Sequence, residues 1–144
     1  MCMSEEKKQE YVIVEMSREQ AQVVERACEL LARLRLGQFE HIIEACLDYG
    51  SDNYCKRRDY VRPFLDAAAK VIYGVTAYGY PDCREDDVFL RSWSVYEVLR
   101  YTRCWHDHPE GGSWSVCFDP PLNRLPDGEV LPKCKIKTSD NTSI

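Results

Sequence analysis

Residues 11–36 read YVIVEMSREQAQVVERACELLARLRL, and this stretch sets the fold class. Its opening, Tyr11-Val12-Ile13-Val14-Glu15-Met16, is short and rich in β-branched and aromatic side chains, so it predicts a strand. Ser17 follows with Gln20 three residues on, the capping-box arrangement that opens a helix. Val23, Val24, Ala27, Leu30, Leu31 and Leu34 then recur with helical period. A strand feeding directly into a capped helix points to a mixed α and β architecture.

Working outward, Gly37 reads as a stop or a kink, and the helical pattern resumes through Phe39, Ile42, Ile43, Cys46 and Leu47 to Gly50. One long kinked helix or two in series would both satisfy it. Residues 51–58 are polar and read as a connection. A further helix is expected from about Asp59 to Ile72, with Pro63 in its first turns and Tyr60, Phe64, Leu65, Ala68, Val71 and Ile72 as its apolar face. A loop punctuated by Gly74, Gly79 and Pro81 follows. Asp86 or Asp87 caps the next helix, which carries Val88, Phe89, Trp93, Tyr96, Leu99 and Trp105 and ends before His106. Residues 113–118 alternate in period two and predict a second strand, able to pair with the first. Pro126-Asp127-Gly128 reads as a turn and Val130 to Ile136 as a short strand. The expected fold is therefore a mostly helical α+β domain spanning residues 1–144. It has a small antiparallel sheet, and residues 1–9 and 137–144 form flexible ends. So few short strands make no substantial sheet alone, and a wide apolar helical stripe needs cover. Both shortages predict a homo-oligomer, most simply a symmetric dimer.

The 144 residues carry 19 Lys+Arg against 24 Asp+Glu, a net charge of −5, with 44% apolar residues, which fits one globular domain. The acidic balance argues against a coat for DNA or RNA. No apolar core follows Met1 as in a secretory signal, and no run reaches the roughly 18 apolar residues of a membrane span. A cytoplasmic, reducing compartment is the expectation, and there disulfides are rare. The eight cysteines stand singly at 2, 28, 46, 55, 83, 104, 117 and 134, with no C-x-x-C pair. They read as reduced, mostly buried thiols rather than a disulfide framework or zinc knuckles.

Cys104, His106 and His108 are spaced as candidate zinc ligands, but no fourth ligand is indicated, and His-x-His at a helix end is often just a solvated turn. No phosphate-loop, G-x-S-x-G or H-E-x-x-H pattern occurs, so neither enzymatic activity nor a cofactor is expected. The positive signal is cations interleaved with aromatics. Lys56, Arg57, Arg58 and Arg62 lie beside Tyr54 and Tyr60. Arg91, Arg100 and Arg103 lie on the helix after a loop holding Tyr73, Tyr78 and Tyr80. Rings that stack on a base and guanidinium forks that grip phosphates suit a small anionic nucleotide. The same residues also read as solvated helix faces whose stems cover core tyrosines. The candidate binding residues are Arg57, Arg58, Tyr73, Tyr78, Tyr80, Arg91, Arg100 and Arg103.

Several motifs resemble one phage-encoded family. They are Trp105-His106-Asp107-His108-Pro109-Glu110-Gly111-Gly112, the run Val116-Cys117-Phe118-Asp119-Pro120-Pro121-Leu122, Leu131-Pro132-Lys133, the opening strand with its Ser-capped helix, and Gly37-Gln38-Phe39-Glu40. Together they are similar to the anti-Thoeris sponge proteins of phages. The resemblance implies a non-enzymatic protein that sequesters a cyclic ADP-ribose signal, made by bacterial TIR-domain defence enzymes, in the cytoplasm of an infected host. It implies dimers or trimers of dimers, in some members with separate pockets for cyclic oligonucleotides. It places the cyclic ADP-ribose pocket at a dimer interface, using Tyr73, Tyr78 or Tyr80 with Arg100 and Arg103. Two features depart from the family pattern. Its arginine pair is a full turn apart, whereas here Arg100 and Arg103 precede Cys104, and residues 82–87 are more acidic than expected beside a phosphate. A second reading is a phage inhibitor or adaptor that docks a host protein through an exposed helix face, and a third is a zinc-dependent hydrolase at Cys104, His106 and His108.

Overall fold

The computed structural model describes residues 10–74, 84–112, 115–126 and 128–138. They form four helices, α1 (Arg18–Arg35), α2 (His41–Cys46), α3 (Tyr54–Tyr73) and α4 (Asp87–Asp107), followed by a single 3-10 turn at Val116–Phe118.

α1 begins where the capping box requires. The Gln20 amide donates to Ser17 Oγ at 3.2 Å, and the Ser17 amide donates to Gln20 Oε1 at 2.8 Å. It ends at a glycine: Gly37 has φ 75°, and the Gly37 and Gln38 amides fold back onto the Leu34 and Arg33 carbonyls. The chain therefore breaks into two helices rather than one kinked one. α4 starts on Asp86, whose carboxylate accepts from the Val88 and Phe89 amides at 3.0 Å each.

α1 and α4 are the main packing pair. Arg18 at the start of α1 bonds Asp107 at the end of α4, and Arg35 Nε at the other end bonds Asp86 at 2.7 Å. These crossed pairings mean the two helices run antiparallel. Between them Arg103 grips Glu25 twice, Nη2 to Oε1 at 2.7 Å and Nε to Oε2 at 3.0 Å. Ala32 is completely buried, and its small side chain lets the helices approach. Val98, Ser92, Ser94 and Cys104 are buried on α4. Ser92 and Ser94 satisfy their hydroxyls on the Val88 and Arg91 carbonyls, so their burial leaves no orphan.

α3 is different. It starts earlier than its sequence pattern predicts, at Tyr54 behind a left-handed Asn53, so Pro63 sits inside the helix rather than in its first turns. Its one buried residue is Tyr54. Most of the expected apolar face is bare: Tyr60 is 74% exposed, Phe64 64% and Val71 85%. The far end is tied down by Tyr73, whose hydroxyl donates to the Leu34 carbonyl at 2.7 Å and whose ring meets Phe39 edge-on.

The expected sheet is absent. The described residues contain no strand, and 58% of them are helical, so the α+β assignment is corrected to a mostly helical fold with no sheet among the described residues. Residues 11–16 are exposed and unladdered, their strand propensity having no neighbouring strand to pair with; Glu15 reaches the chain's other end only through a side-chain bond to Lys137. The second expected strand coils instead. Ser115 Oγ accepts from the Cys117 amide at 3.2 Å, a local bond that competes with any ladder and winds Val116–Phe118 into a turn. Residues 130–136 are also unladdered, and Pro132 removes one amide donor from them.

Candidate functional site

Tyr96 and Arg100 stand four residues apart on α4 and so share a face. The Arg100 guanidinium lies 4.9 Å from the Tyr96 ring centroid, and its Nη1 donates to the Tyr96 hydroxyl at 3.2 Å. Nη2 donates to the Val116 carbonyl at 3.1 Å, and Nε is buried with no partner. The residue is only 8% exposed. No carboxylate among the described residues pairs with it. Burial pulls the guanidinium pKa down, but the Tyr96 hydroxyl and the more distant Glu97 outweigh that, so it stays fully charged. Burial likewise pushes the Tyr96 phenol above its ordinary value and keeps its proton on. A buried cation answered by neutral acceptors alone is costly, and an anion is the group that would relieve it.

Further along α4 a second aromatic cluster meets the 3-10 turn. Trp105 meets Phe118 edge-on at 5.2 Å between centroids, and its indole Nε1 donates to the Phe118 carbonyl at 3.2 Å. His108 approaches the same phenylalanine at 6.3 Å. Gly112 is required here, because a Cβ would fall 2.2 Å from the Phe118 ring. The 3-10 turn is thus held onto α4 through the carbonyls of Val116 and Phe118.

The other predicted binding residues are placed differently. Arg103 is committed to Glu25, whose carboxylate holds the guanidinium pKa far above its ordinary value. Arg91 is clamped by Glu129 with Asp87 nearby, and Arg58 pairs with its neighbour Asp59. Arg57 lines an apolar groove of about 590 Å³ between α2 and α3, with Ile42, Ile43, Leu47, Tyr60 and Val61. Tyr73 spends its hydroxyl on Leu34, and Tyr78 and Tyr80 lie outside the described residues. The structure therefore does not bring the predicted set together: Arg100 sits apart in a buried site with Tyr96. The i, i+4 spacing of Tyr96 and Arg100 was the available signal for that pairing. Nothing local in the sequence pointed to the Val116 carbonyl or to the role of Gly112.

The histidine and cysteine spacing also resolves. Cys104 is buried, while His106 Nδ1 bonds Asp107 at 3.2 Å and His108 lies 3.7 Å from Glu110. Among the described residues no group of three His, Cys, Asp or Glu is placed to hold a metal ion. No helix of the described residues is long and apolar enough to cross a membrane.

Comparison with known proteins adds no relative: no family model, no curated protein and no solved structure matches the chain.

Proposed function

We propose that this chain is a non-enzymatic binding protein that takes up a small phosphate-bearing cyclic nucleotide and holds it unchanged. This is the sponge role implied by its resemblance to phage anti-Thoeris proteins, exercised in the cytoplasm of an infected bacterium. The observation that carries the reading is Arg100: a buried guanidinium with no carboxylate on it among the described residues, its Nε unanswered, lying over the Tyr96 ring. A phosphate displacing the Val116 carbonyl would supply the missing charge. Sequestration of this kind needs affinity and slow release, with no catalytic group. The test is recovery of ligand. The chain is mixed with cyclic ADP-ribose isomers or cyclic dinucleotides, separated from free ligand and heated. Intact ligand in the heated fraction supports the reading, whereas a cleaved product points to an enzyme.

The homo-oligomer belongs to the same proposal and rests on α3. Tyr60, Phe64, Ala67 and Val71 are spaced by four, three and four residues, the seam spacing of a two-helix coil. Antiparallel pairing of two copies would lay Lys56, Arg57, Arg58 and Arg62 over the carbonyl end of the partner helix, where cations are stabilised. The same bare face supports a second reading, an adaptor that docks a host protein there. Sedimentation of the purified chain separates the two: a monomer that binds no nucleotide favours the adaptor.

A further inference from the structure

One bare apolar surface stands before α1 in the chain and another after it. Before it, Val12 is 89% exposed, Ile13 90% and Val14 64%, with no strand beside them. After it, the open groove of about 590 Å³ between α2 and α3 is lined by Ile42, Ile43, Cys46, Leu47, Tyr60 and Val61. Lys56 and Arg57 complete that lining, and neither has an ion pair among the described residues. The two surfaces match in pattern and in length. In extended backbone alternate residues share one side, so Glu10, Val12 and Val14 form a row, a carboxylate ahead of two branched apolar side chains. Val12 and Val14 then stand about 7 Å apart, and the α3 wall of the groove from Lys56 to Val61 rises about 7.5 Å. With the row laid along α3 in the same direction, the valines cover the apolar wall and Glu10 projects at the Lys56 and Arg57 end, acid against base.

Within one chain the two are kept apart. None of residues 10–16 lines the groove. Their anchor is Ser17, the cap of α1, whereas α2 and α3 follow the other end of that helix, past Gly37. The 18 residues of α1 span about 27 Å, and five residues of extended chain carry Val12 no further than about 18 Å from Ser17. α3 does not fold back along α1 to close the gap; its last residue, Tyr73, reaches Leu34 near the far end of α1. We propose that the groove between α2 and α3 receives residues 10–14 of a second copy of this chain, with Val12 and Val14 entering it and Glu10 meeting Lys56 and Arg57. Exchange in both directions closes a two-fold pair and leaves no open end for further growth. The inference rests on the homo-oligomer reading and deepens it, by naming a contact that shares only Tyr60 with the α3 seam. It also gives residues 11–14 a partner that the fold of one chain does not provide.

The experiment mixes isotopically light and heavy full-length chain, lets the copies exchange, and joins carboxylates to amines with a zero-length carbodiimide before mass spectrometry. The expected result is a peptide pair joining Glu10 to Lys56, with one member light and the other heavy. The double variant Val12→Asp, Val14→Asp, with unchanged circular dichroism, should lose that pair and sediment at a lower mass than wild type. Lys56→Glu with Arg57→Glu should weaken association at least about tenfold, and adding Glu10→Lys should restore part of it. The proposal is overturned if the Glu10–Lys56 pair forms only within one isotope, or if it survives in the double valine variant. An oligomer that yields no such pair overturns this contact alone and leaves the α3 seam standing. A wild-type chain that sediments as a monomer at every concentration overturns both. None of these readouts involves a nucleotide, so the binding proposal is tested separately.

Discussion

α3 and α4 are nearly equal in length, 20 and 21 residues, and opposite in finish. α4 opens on a carboxylate cap, buries five residues and is tied to α1 by three ion pairs. α3 opens on a left-handed asparagine with no side-chain cap, carries a proline inside, and buries Tyr54 alone. α3 carries the more one-sided apolar pattern of the two. The difference is the partner: α1 supplies one to α4 along its length, whereas α3 meets the short α2 and is held at its ends by Tyr54 against Tyr49 and by Tyr73 against Leu34 and Phe39. Among the described residues, apolar surface is divided between a packed helix pair and a helix whose apolar face is largely bare.

The largest effect expected within the packed pair is from Arg103→Ala. It strands the nearly buried Glu25 carboxylate and should cost about 2 kcal/mol in urea unfolding followed by helical circular dichroism. A loss under a few tenths would mean that α1 and α4 are held by apolar contact alone. This makes Arg103 a poor probe of ligand binding, since loss of fold and loss of site coincide in its variant.

Next in size is Asp86→Ala, which removes the cap of α4 and should cost about 1 kcal/mol near neutral pH. Arg35, followed by the Phe89 and Val88 amides, holds the Asp86 carboxyl below its ordinary value despite partial burial. A depressed folded value means the contribution is complete above the unfolded carboxyl's pKa of about 3.9 and fades as pH falls through the lower folded one. The gap between wild type and variant should therefore stay constant at neutral pH and close in acid. A gap that widened in acid would refute the ion-pair account.

The smallest change in stability should come from Phe64→Asp in α3, within about 0.5 kcal/mol, because the ring is already mostly in water. Its effect should show in assembly instead, as a lower sedimenting mass than wild type. A variant that unfolds but does not dissociate would place Phe64 in a core and erase the contrast between the two arms.

What was legible in the sequence follows the same divide between local and remote causes. Ser17 with Gln20, Gly37 and Asp86 each act on backbone groups within four residues, and each landed at the predicted helix end. The strands were read from propensity, and a strand needs a partner whose position no local pattern states. Ser115 shows how slight the deciding force is, a single hydroxyl turning a period-two run into a 3-10 turn. At the site, Tyr96 beside Arg100 follows from helical spacing. The ion pair of Arg103 spans 78 residues and that of Arg91 with Glu129 spans 38, so their neutralisation was invisible before the fold.

Arg100 tests the central claim most directly. Equilibrium titration of the wild-type chain with cyclic ADP-ribose isomers and cyclic dinucleotides, alongside Arg100→Gln with unchanged circular dichroism, isolates the buried cation. The account predicts saturable binding of one of these anions by the wild type, weakened at least about tenfold, or 1.4 kcal/mol, in the variant. Equal binding by the two folded proteins, or no uptake by the wild type, would contradict it.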